Sequence, residues 1–378
     1  MIEKPDLLIV GAGPTGCTVA RRAAESMGWR SIVIDRRSHI AGLCHDRIHP
    51  SGVLVHAYGP HYFRTNDEAL LDFLSRFTEW MPGRYYVKAH VGGRLYPFPI
   101  NLTTLEMFFG TRLDEASAQR LLESVREDIP EPDNAEEWVC SRVGRDVYEA
   151  FYQGYTMKQW GRHPRQLDKS ICGRVPIRLN RDERYVNETY QLMPRDGFTR
   201  MFERMLDHPL VELRLNTEYR AVRTAIQPRV ATVYSGAPDE YFDYRLGALP
   251  WRSLEFQFEA YDEEYRQPCV QINYPNDHEY TRSVEIKHVT AQKHEQTVVC
   301  YEFPRAEGEP YYPVLSPRSR RLYESYCELA EAERRQRKVY MAGRLGNFTY
   351  INSDQAVSRA LALFEEIVAE SGCGPASG

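Results

Sequence analysis

The chain opens on Leu7-Leu8-Ile9-Val10, a run with no polar residue to mark a solvent-facing side. Such a run predicts a strand buried on both faces, the kind a parallel sheet uses. It leads through a glycine-rich turn into a helix-like stretch ending near Ala24, and residues 30–35, Arg-Ser-Ile-Val-Ile-Asp, predict a second strand that ends in an acid. From about Asn66 to Tyr155 the apolar period becomes helical. Leu70, Leu71, Phe73, Leu74 and Phe77 form one stripe, and residues 115–126 and 135–153 carry two more. Farther on, Val211-Glu212-Leu213-Arg214-Leu215 and Glu255-Phe256-Gln257-Phe258-Glu259 alternate as half-buried strands do, and residues 297–303 are rich in strand formers. The final pattern is a helix over 354–371, with Val357, Ala360, Leu361, Phe364, Ile367 and Val368 on one face.

Composition narrows what such a chain does. With 378 residues, 42% of them hydrophobic, it can bury a large core, and its length is enough for two or three domains. The balance of 48 basic against 53 acidic residues leaves a formal charge of -5, so no global basic field recruits nucleic acid or an anionic membrane. No apolar run approaches the roughly 20 residues that cross a bilayer, and the start shows no signal-peptide pattern, so neither membrane insertion nor export is expected. The eight cysteines are scattered without a Cys-x-x-Cys pair, which argues against a zinc site or a disulfide framework and fits a reducing cytoplasm. No metal ligands are assigned. The tail, Gly372 to Gly378, is expected to be loose.

The glycine turn is Gly11-Ala12-Gly13-Pro14-Thr15-Gly16, a GxGxxG between a strand and a helix. In that context the first glycine makes the turn, the second admits a pyrophosphate, and the third lets helix and strand pack closely. Asp35 ends the second strand at the spacing where a carboxylate meets a ribose hydroxyl. These features predict a Rossmann-like dinucleotide domain. Arg36 follows directly, and the stretch around Gly42 and Leu43 resembles the second glycine-containing stretch of the large FAD-binding family that includes amine oxidases. Residues 338–346, Lys-Val-Tyr-Met-Ala-Gly-Arg-Leu-Gly, agree with it, since such families return a late strand and glycine turn to the flavin before a last helix.

Residues 151–195 interleave Phe151, Tyr152, Tyr155, Trp160, Tyr185 and Tyr190 with Arg174, Arg178 and Arg184. Flat aromatic faces suit a nucleobase, and guanidinium forks suit phosphate oxygens. The plainer alternative is an amphipathic helix followed by a solvated loop.

Taken together with residues 55–63 (Val-His-Ala-Tyr-Gly-Pro-His-Tyr-Phe), 97–101 (Pro-Phe-Pro-Ile-Asn), 154–161, 241–249, 280–282, 310–314 and 343–345, the chain resembles bacterial-type UDP-galactopyranose mutases over nearly its whole length. The resemblance implies an α/β fold: a Rossmann-like FAD domain, a helical insertion and an antiparallel sheet domain. Residues 1–80 with about 212–248 and 325–371 would form the first, 98–180 the second, and 81–97, 181–211 and 249–324 the third. It implies an isomerase that interconverts pyranose and furanose forms of a UDP-linked hexose, using reduced FAD through a covalent bond between flavin N5 and the sugar. NAD(P)H is the implied external reductant, and a homodimer the implied assembly. Catalytic roles would fall to Arg174, Arg282 and His61. Gly11, Gly13, Pro14, Thr15, Gly16, Asp35, Arg36, Gly42, Leu43, His61, Tyr62, Arg344, Ile351, Asp354, Gln355 and Ala356 would hold the cofactor. Tyr155 would stack on uracil and Gln159 read its edge, with Phe151, Thr156 and Trp160 completing the pocket. Asn101 and Asn273 would line the cleft, and Tyr185, Tyr312 and Tyr350 would join the arginines at the diphosphate. Residues 161–178, which carry Arg174, are expected to form a mobile flap.

Three positions depart from the family pattern. Arg64 stands where a second histidine is usual, Leu43 replaces an asparagine, and Asn352 replaces an aspartate. Arg64 is a longer donor able to reach an N-acetyl carbonyl, which raises UDP-N-acetylgalactosamine as a preferred or additional substrate. Two other functions remain open on the sequence: an amine-oxidase-like flavin oxidoreductase, and a catalytically silent nucleotide-sugar binder.

Overall fold

The first apolar run forms the strand Leu7–Val10, central in a five-stranded parallel sheet. Ser31–Ile34 and Ala231–Tyr234 flank it, and Val211–Arg214 and Val339–Met341 form the edges. The computed structural model describes residues 2–372, so all of the tail beyond Gly372 lies outside the described residues. On one face the helix Pro14–Met27 packs against the last helix, Ser353–Ser371, with Trp29 edge-on to Phe364 at 6.2 Å between ring centroids. Leu8, Ile32, Ile34 and Ile226 form a smaller core on the other face. The strand is apolar on both sides because both sides are covered. The helix Phe198–Leu206, which the resemblance assigned to the sheet domain with residues 181–211, packs beside Pro14–Met27.

The second sheet has seven strands, in the order Tyr312–Pro313, Trp251–Tyr261, Thr297–Arg305, Arg282–Val284, Gln271–Asn273, Val87–Val91, Arg94–Phe98. It is antiparallel, as expected, except at one pair. Gln271–Asn273 runs parallel to Val87–Val91, because the two strands come from distant stretches joined by long crossovers rather than a hairpin. Nor is the stretch from Asn66 to Tyr155 wholly helical. Trp80–Pro82, Val87–Val91 and Arg94–Phe98 are strands of three to five residues, too short to imprint a period on the surrounding helical pattern. Trp80–Pro82 joins Phe63–Thr65 and Tyr190–Pro194 in a three-stranded sheet that sets Arg64 opposite Gln191.

The helical insertion departs from one continuous stripe over 135–153. Ala135–Val143 stops at Gly144, whose φ of 82° no β-carbon-bearing residue adopts easily. Arg145–Tyr148 restarts, passes through a π turn at Glu149–Gln153, and continues as Gly154–Trp160. The wider turn shifts the register of the last segment, whose side chains then face the second sheet. Gly154 lies hard against that sheet: a β-carbon there would sit 2.4 Å from the Pro275 carbonyl oxygen. At Gly173 an added β-carbon meets only ordinary contacts, 3.5 Å from Trp138. Gly154→Ala should therefore lower unfolding stability by about 1–3 kcal/mol while Gly173→Ala does not. Urea titration of both variants checks this, and equal stability would refute the close approach.

Candidate active site

The glycine turn leaves a trough along the carboxyl ends of the parallel strands, lined by Gly11, Gly13, Pro14, Thr15, Asp35, Gly42, Leu43, Ile351 and Ala356. Its floor is narrow because two backbones nearly touch. A β-carbon on Gly42 would sit 3.0 Å from the α-carbon of Gly13. Asp35 is buried and accepts from the backbone of Ala12 and of Arg37, both at 2.9 Å, so its oxygens are aimed before any ligand arrives and keep lone pairs for a hydroxyl. A dinucleotide pyrophosphate fits this turn and helix start, with a ribose at Asp35.

The trough opens into a larger cleft at Leu43, His61, Arg344, Asn352 and Ser353, which line both. Most residues singled out from the sequence meet in this cleft. Phe151, Tyr155, Thr156 and Trp160 come from the π turn and the segment after it, and Arg174 and Tyr185 from the chain that follows. Tyr62, Arg64, Asn273, Arg282, Tyr312 and Tyr350 complete the walls.

Four guanidinium groups from four different elements define its electrostatics. Arg282 lies opposite Glu302 across paired strands and meets its carboxylate at 2.7 Å. Glu302 is fully buried, and burial raises its carboxyl above the usual range against the pull of Arg282. Arg64 sits 3.5 Å from Glu188. Arg344 donates to the Ile351 carbonyl at 2.6 Å, and Arg174 lies 4.4 Å from the ring centroid of Tyr350. Tyr350 stacks on Tyr312, with centroids 5.5 Å apart, and Arg344 covers both rings. Burial opposes ionisation of the Tyr350 phenol, but Arg174, Arg344, Arg282 and Arg64 outweigh it and pull the group down to about 8.

His61 lies at the junction. Its Nδ1 is 3.0 Å from the Gly59 carbonyl, which only accepts, so Nδ1 carries the proton and Nε2 is a bare acceptor. Its backbone N–H donates to Nδ1 of buried His56 at 3.0 Å. Burial, with lesser repulsion from His56 and Arg344, pushes His61 down to about 3; burial alone does the same to His56. Both rings are neutral across physiological pH.

Several sequence-derived residues lie elsewhere. Asn101 is fully buried and caps the helix Leu102–Phe109, its Oδ1 accepting from the Thr104 N–H, so it does not line the cleft. Gln159 is buried behind the aromatic wall and accepts from the Thr281 hydroxyl at 3.3 Å. Arg36 pairs with Glu309 and Glu240 at a neighbouring depression. Asp354 and Gln355 turn away from the trough, Gln355 to cap the last helix at Asn352. Gly16 lies beneath the turn. Of the basic residues in 151–195, Arg178 is spent holding the Arg184 and Asn187 loop, and Arg184 pairs with Asp182. Residues 161–178 are tied at several points, among them Arg165 to buried Glu136, Asp168 to Arg320, the Ala135 N–H to the Leu167 carbonyl, and the Arg178 N–H to the Ile100 carbonyl.

The structure adds residues the sequence did not single out. Tyr58 and Tyr311 line the cleft. Tyr85 donates to Gln271 at 2.8 Å and Gln271 to Asn273 Oδ1 at 2.7 Å, which leaves the Asn273 amide N–H groups as its free donors. The alternation of Gln271 and Asn273 about Ile272, just after Cys269 and Val270, was a readable signal for this chain. So was Glu302, the lone acid in Thr297–Arg305.

Residues 150–350 match the UDP-galactopyranose mutase family, and residues 9–77 match the NAD(P)-binding Rossmann-like domain. The chain belongs to the UDP-galactopyranose mutase family. It is 38% identical to a probable UDP-galactopyranose mutase of Klebsiella pneumoniae, over 97% of this chain and 96% of that protein. It is 34% identical to a dTDP-fucopyranose mutase of Escherichia coli, over 94% and 96%. The fold matches a crystal structure of reduced UDP-galactopyranose mutase with a TM-score of 0.75 at 15% identity, covering 98% and 97% of the two chains. Membership makes this chain an isomerase, with its cleft as the candidate active site. Among the described residues no helix is long and apolar enough to cross a membrane, and no cluster of metal ligands occurs.

Neutral His56 and His61 make acid sensitivity a test of the site. Their ordinary pKa is about 6.5, so below that pH the unfolded chain binds protons that the folded chain refuses, and stability falls as pH drops through 6.5 toward 3. Urea unfolding at pH 7, 6 and 5 should show that decline, with a proton linkage approaching two from this pair. Equal stability at pH 5 and 7 would contradict the buried neutral rings.

Proposed function

We propose that the chain interconverts UDP-galactopyranose and UDP-galactofuranose, with FAD as its cofactor. The observation that carries this reading is the convergence, in one cleft that opens onto the dinucleotide trough, of an aromatic wall and a guanidinium cluster. FAD held along the trough by Gly11, Gly13 and Asp35 would supply, when reduced, a nucleophilic electron pair that takes the place of UDP at the anomeric carbon until the UDP retained in the cleft bonds there again. NAD(P)H is the proposed source of electrons. No second dinucleotide fingerprint is present, so the donor would visit the same cleft.

The protein's part is to hold and orient. Tyr155 and Trp160 offer faces to the uracil, while Phe151 and Thr156 close the base pocket. Charge grows on the diphosphate as the anomeric bond breaks, and Arg174 and Arg282, aimed in advance, stabilise that charge more than they stabilise the intact substrate. Arg282 is the better anchored of the two because Glu302 fixes its fork. Arg174 rides on residues 161–178, which would shift to admit substrate and return. His61, neutral with a bare Nε2, offers an acceptor at the junction without adding charge beside the flavin. Asn273 presents amide donors to sugar hydroxyls.

An amine oxidase is disfavoured by the same electrostatics, because a cationic amine would enter a cleft lined by Arg64, Arg174, Arg282 and Arg344. A second substrate merits testing. Arg64 is held by Glu188 through a single long contact, so guanidinium donors remain for the carbonyl of an N-acetyl group.

Reduced protein given UDP-galactofuranose should yield UDP-galactopyranose, resolved by ion-exchange chromatography, with no net oxidation of flavin. Product formed only in step with flavin oxidation would overturn the isomerase mechanism, and UDP binding without product would favour a silent binder. Arg174→Ala and Arg282→Ala should each lower kcat by about 10²–10³-fold. In competition among UDP-galactose, UDP-N-acetylgalactosamine and dTDP-fucose, Arg64→His should move relative kcat/KM from the N-acetylated sugar toward galactose by about 10–100-fold, the worth of one charge-assisted hydrogen bond. An unchanged ratio would remove Arg64 from specificity.

A further inference from the structure

The charges that face Tyr350 do not balance. Arg282 has Glu302, and Arg64 has Glu188 with Asp354 nearby. Among the described residues neither Arg174 nor Arg344 is ion-paired with a carboxylate, and both lie over the Tyr350 ring, at 4.4 and 5.1 Å from its centroid. The other titratable groups around it are phenols, Tyr312 stacked on its face and Tyr62 and Tyr185 farther along the wall, together with neutral His61. No hydrogen bond within the described residues engages the Tyr350 hydroxyl. The segment that carries it is fixed from below, because Arg344 grips the next carbonyl, that of Ile351, through both Nε and Nη2.

We propose that Tyr350 is the internal counter-anion of this cleft in mildly alkaline solution: there its phenolate neutralises the arginines of the substrate-free protein, and it takes one proton from solvent when a nucleotide diphosphate replaces it in that role. The proposal rests on the diphosphate reading of the site above and adds a proton to it. Two unpaired guanidinium groups in a partly desolvated cleft repel each other, and a delocalised phenolate between them relieves that cost without filling the space a ligand needs. A diphosphate brings two negative charges to the same guanidinium groups. The phenolate then faces like charge, its affinity for a proton rises, and the neutral hydroxyl becomes a donor to a phosphate oxygen. The protein therefore gains a hydrogen bond to the leaving group by the act of binding it. Burial and the four arginines pull in opposite directions on this phenol, and the arginines prevail, which puts the exchange within reach of mildly alkaline solution.

Two measurements test it on the oxidised holoprotein, which binds but does not turn over. Calorimetric titration with UDP-galactose at pH 8.5, in buffers of different ionisation enthalpy, should show uptake approaching one proton per site, falling toward zero at pH 6.5. The diphosphate diester has no titrating oxygen in that range, so the proton goes to the protein. Tyr350→Phe keeps the stacked ring and should abolish the uptake. It should also remove a tyrosinate absorbance step at 295 nm, centred near pH 8, from the ligand-free wild-type minus variant difference. Binding without proton uptake, or no difference step between pH 7 and 9.5, would overturn the counter-anion role while leaving the diphosphate site intact. A difference step with no heat of UDP-galactose binding would instead refute the diphosphate reading, and with it this proposal.

Discussion

The structure depends on holding positive charge together. Four guanidinium groups within one cleft repel, and the repulsion is strongest where water is scarce. Each is restrained differently: Arg282 by a buried carboxylate across a strand pair, Arg64 by Glu188, Arg344 by a backbone carbonyl, Arg174 by the face of Tyr350. None of the four elements that deliver them is adjacent to another in the chain. Folding therefore assembles the cleft against its own electrostatics, and burial of the shared apolar core behind it has to offset the difference. A site built this way has standing affinity for a polyanion, because the ligand removes a cost the fold carries.

The aromatic wall is restrained with equal economy. Lys158, one turn beyond the π segment, donates to the carbonyls of Tyr274, Asp277, His278 and Tyr280, and burial lowers its ammonium to about 8. Arg252 reaches from the second sheet to the carbonyls of Gln159 and Lys158 at the end of the same helix. The helix Gly154–Trp160 is thus pinned along its back and at its carboxyl end, while Tyr155, Thr156 and Trp160 face the cleft. A stacking surface gains affinity only when its rings are already in place, since ordering a large side chain on binding costs entropy.

Legibility in the sequence followed the range of the interaction. The glycine turn, the acid at Asp35 and the stripe of the last helix are local patterns, and each corresponds to an observed element. Tyr155, Arg174, Arg282, Tyr312 and Tyr350 were reached through collinear motifs and do meet in one cleft. Asn101 and Gln159 do not line the cleft; a motif locates a residue along the chain without saying which way its side chain turns. Asn101 is spent on its own helix and Gln159 on Thr281. Glu302 stands out as the lone acid of its strand, but its role was not legible there, because that role lies in the residue across the ladder and strand pairing is nowhere written in a single strand. The short strands between 80 and 98 left no period of their own and were placed in the sheet domain only through the resemblance, and the parallel pair was hidden by the distance between its members.

The discontinuity of the first domain follows from where the trough and cleft must join. Leu43 and His61 come from the first sixth of the chain, and Arg344, Asn352 and Ser353 from its last tenth, so the junction exists only once the two ends have packed. The contact between Pro14–Met27 and Ser353–Ser371 is what brings them together. The aromatic wall and Arg174 and Arg282, carried by chain inserted between those ends, complete the cleft beyond the junction. A dinucleotide lying along the trough would touch both ends of the chain at once, and any ligand that binds only the packed form stabilises it by mass action. On the proposed reading, then, the cofactor completes the scaffold as well as the chemistry, and the insertions are left to determine which sugar nucleotide reaches it.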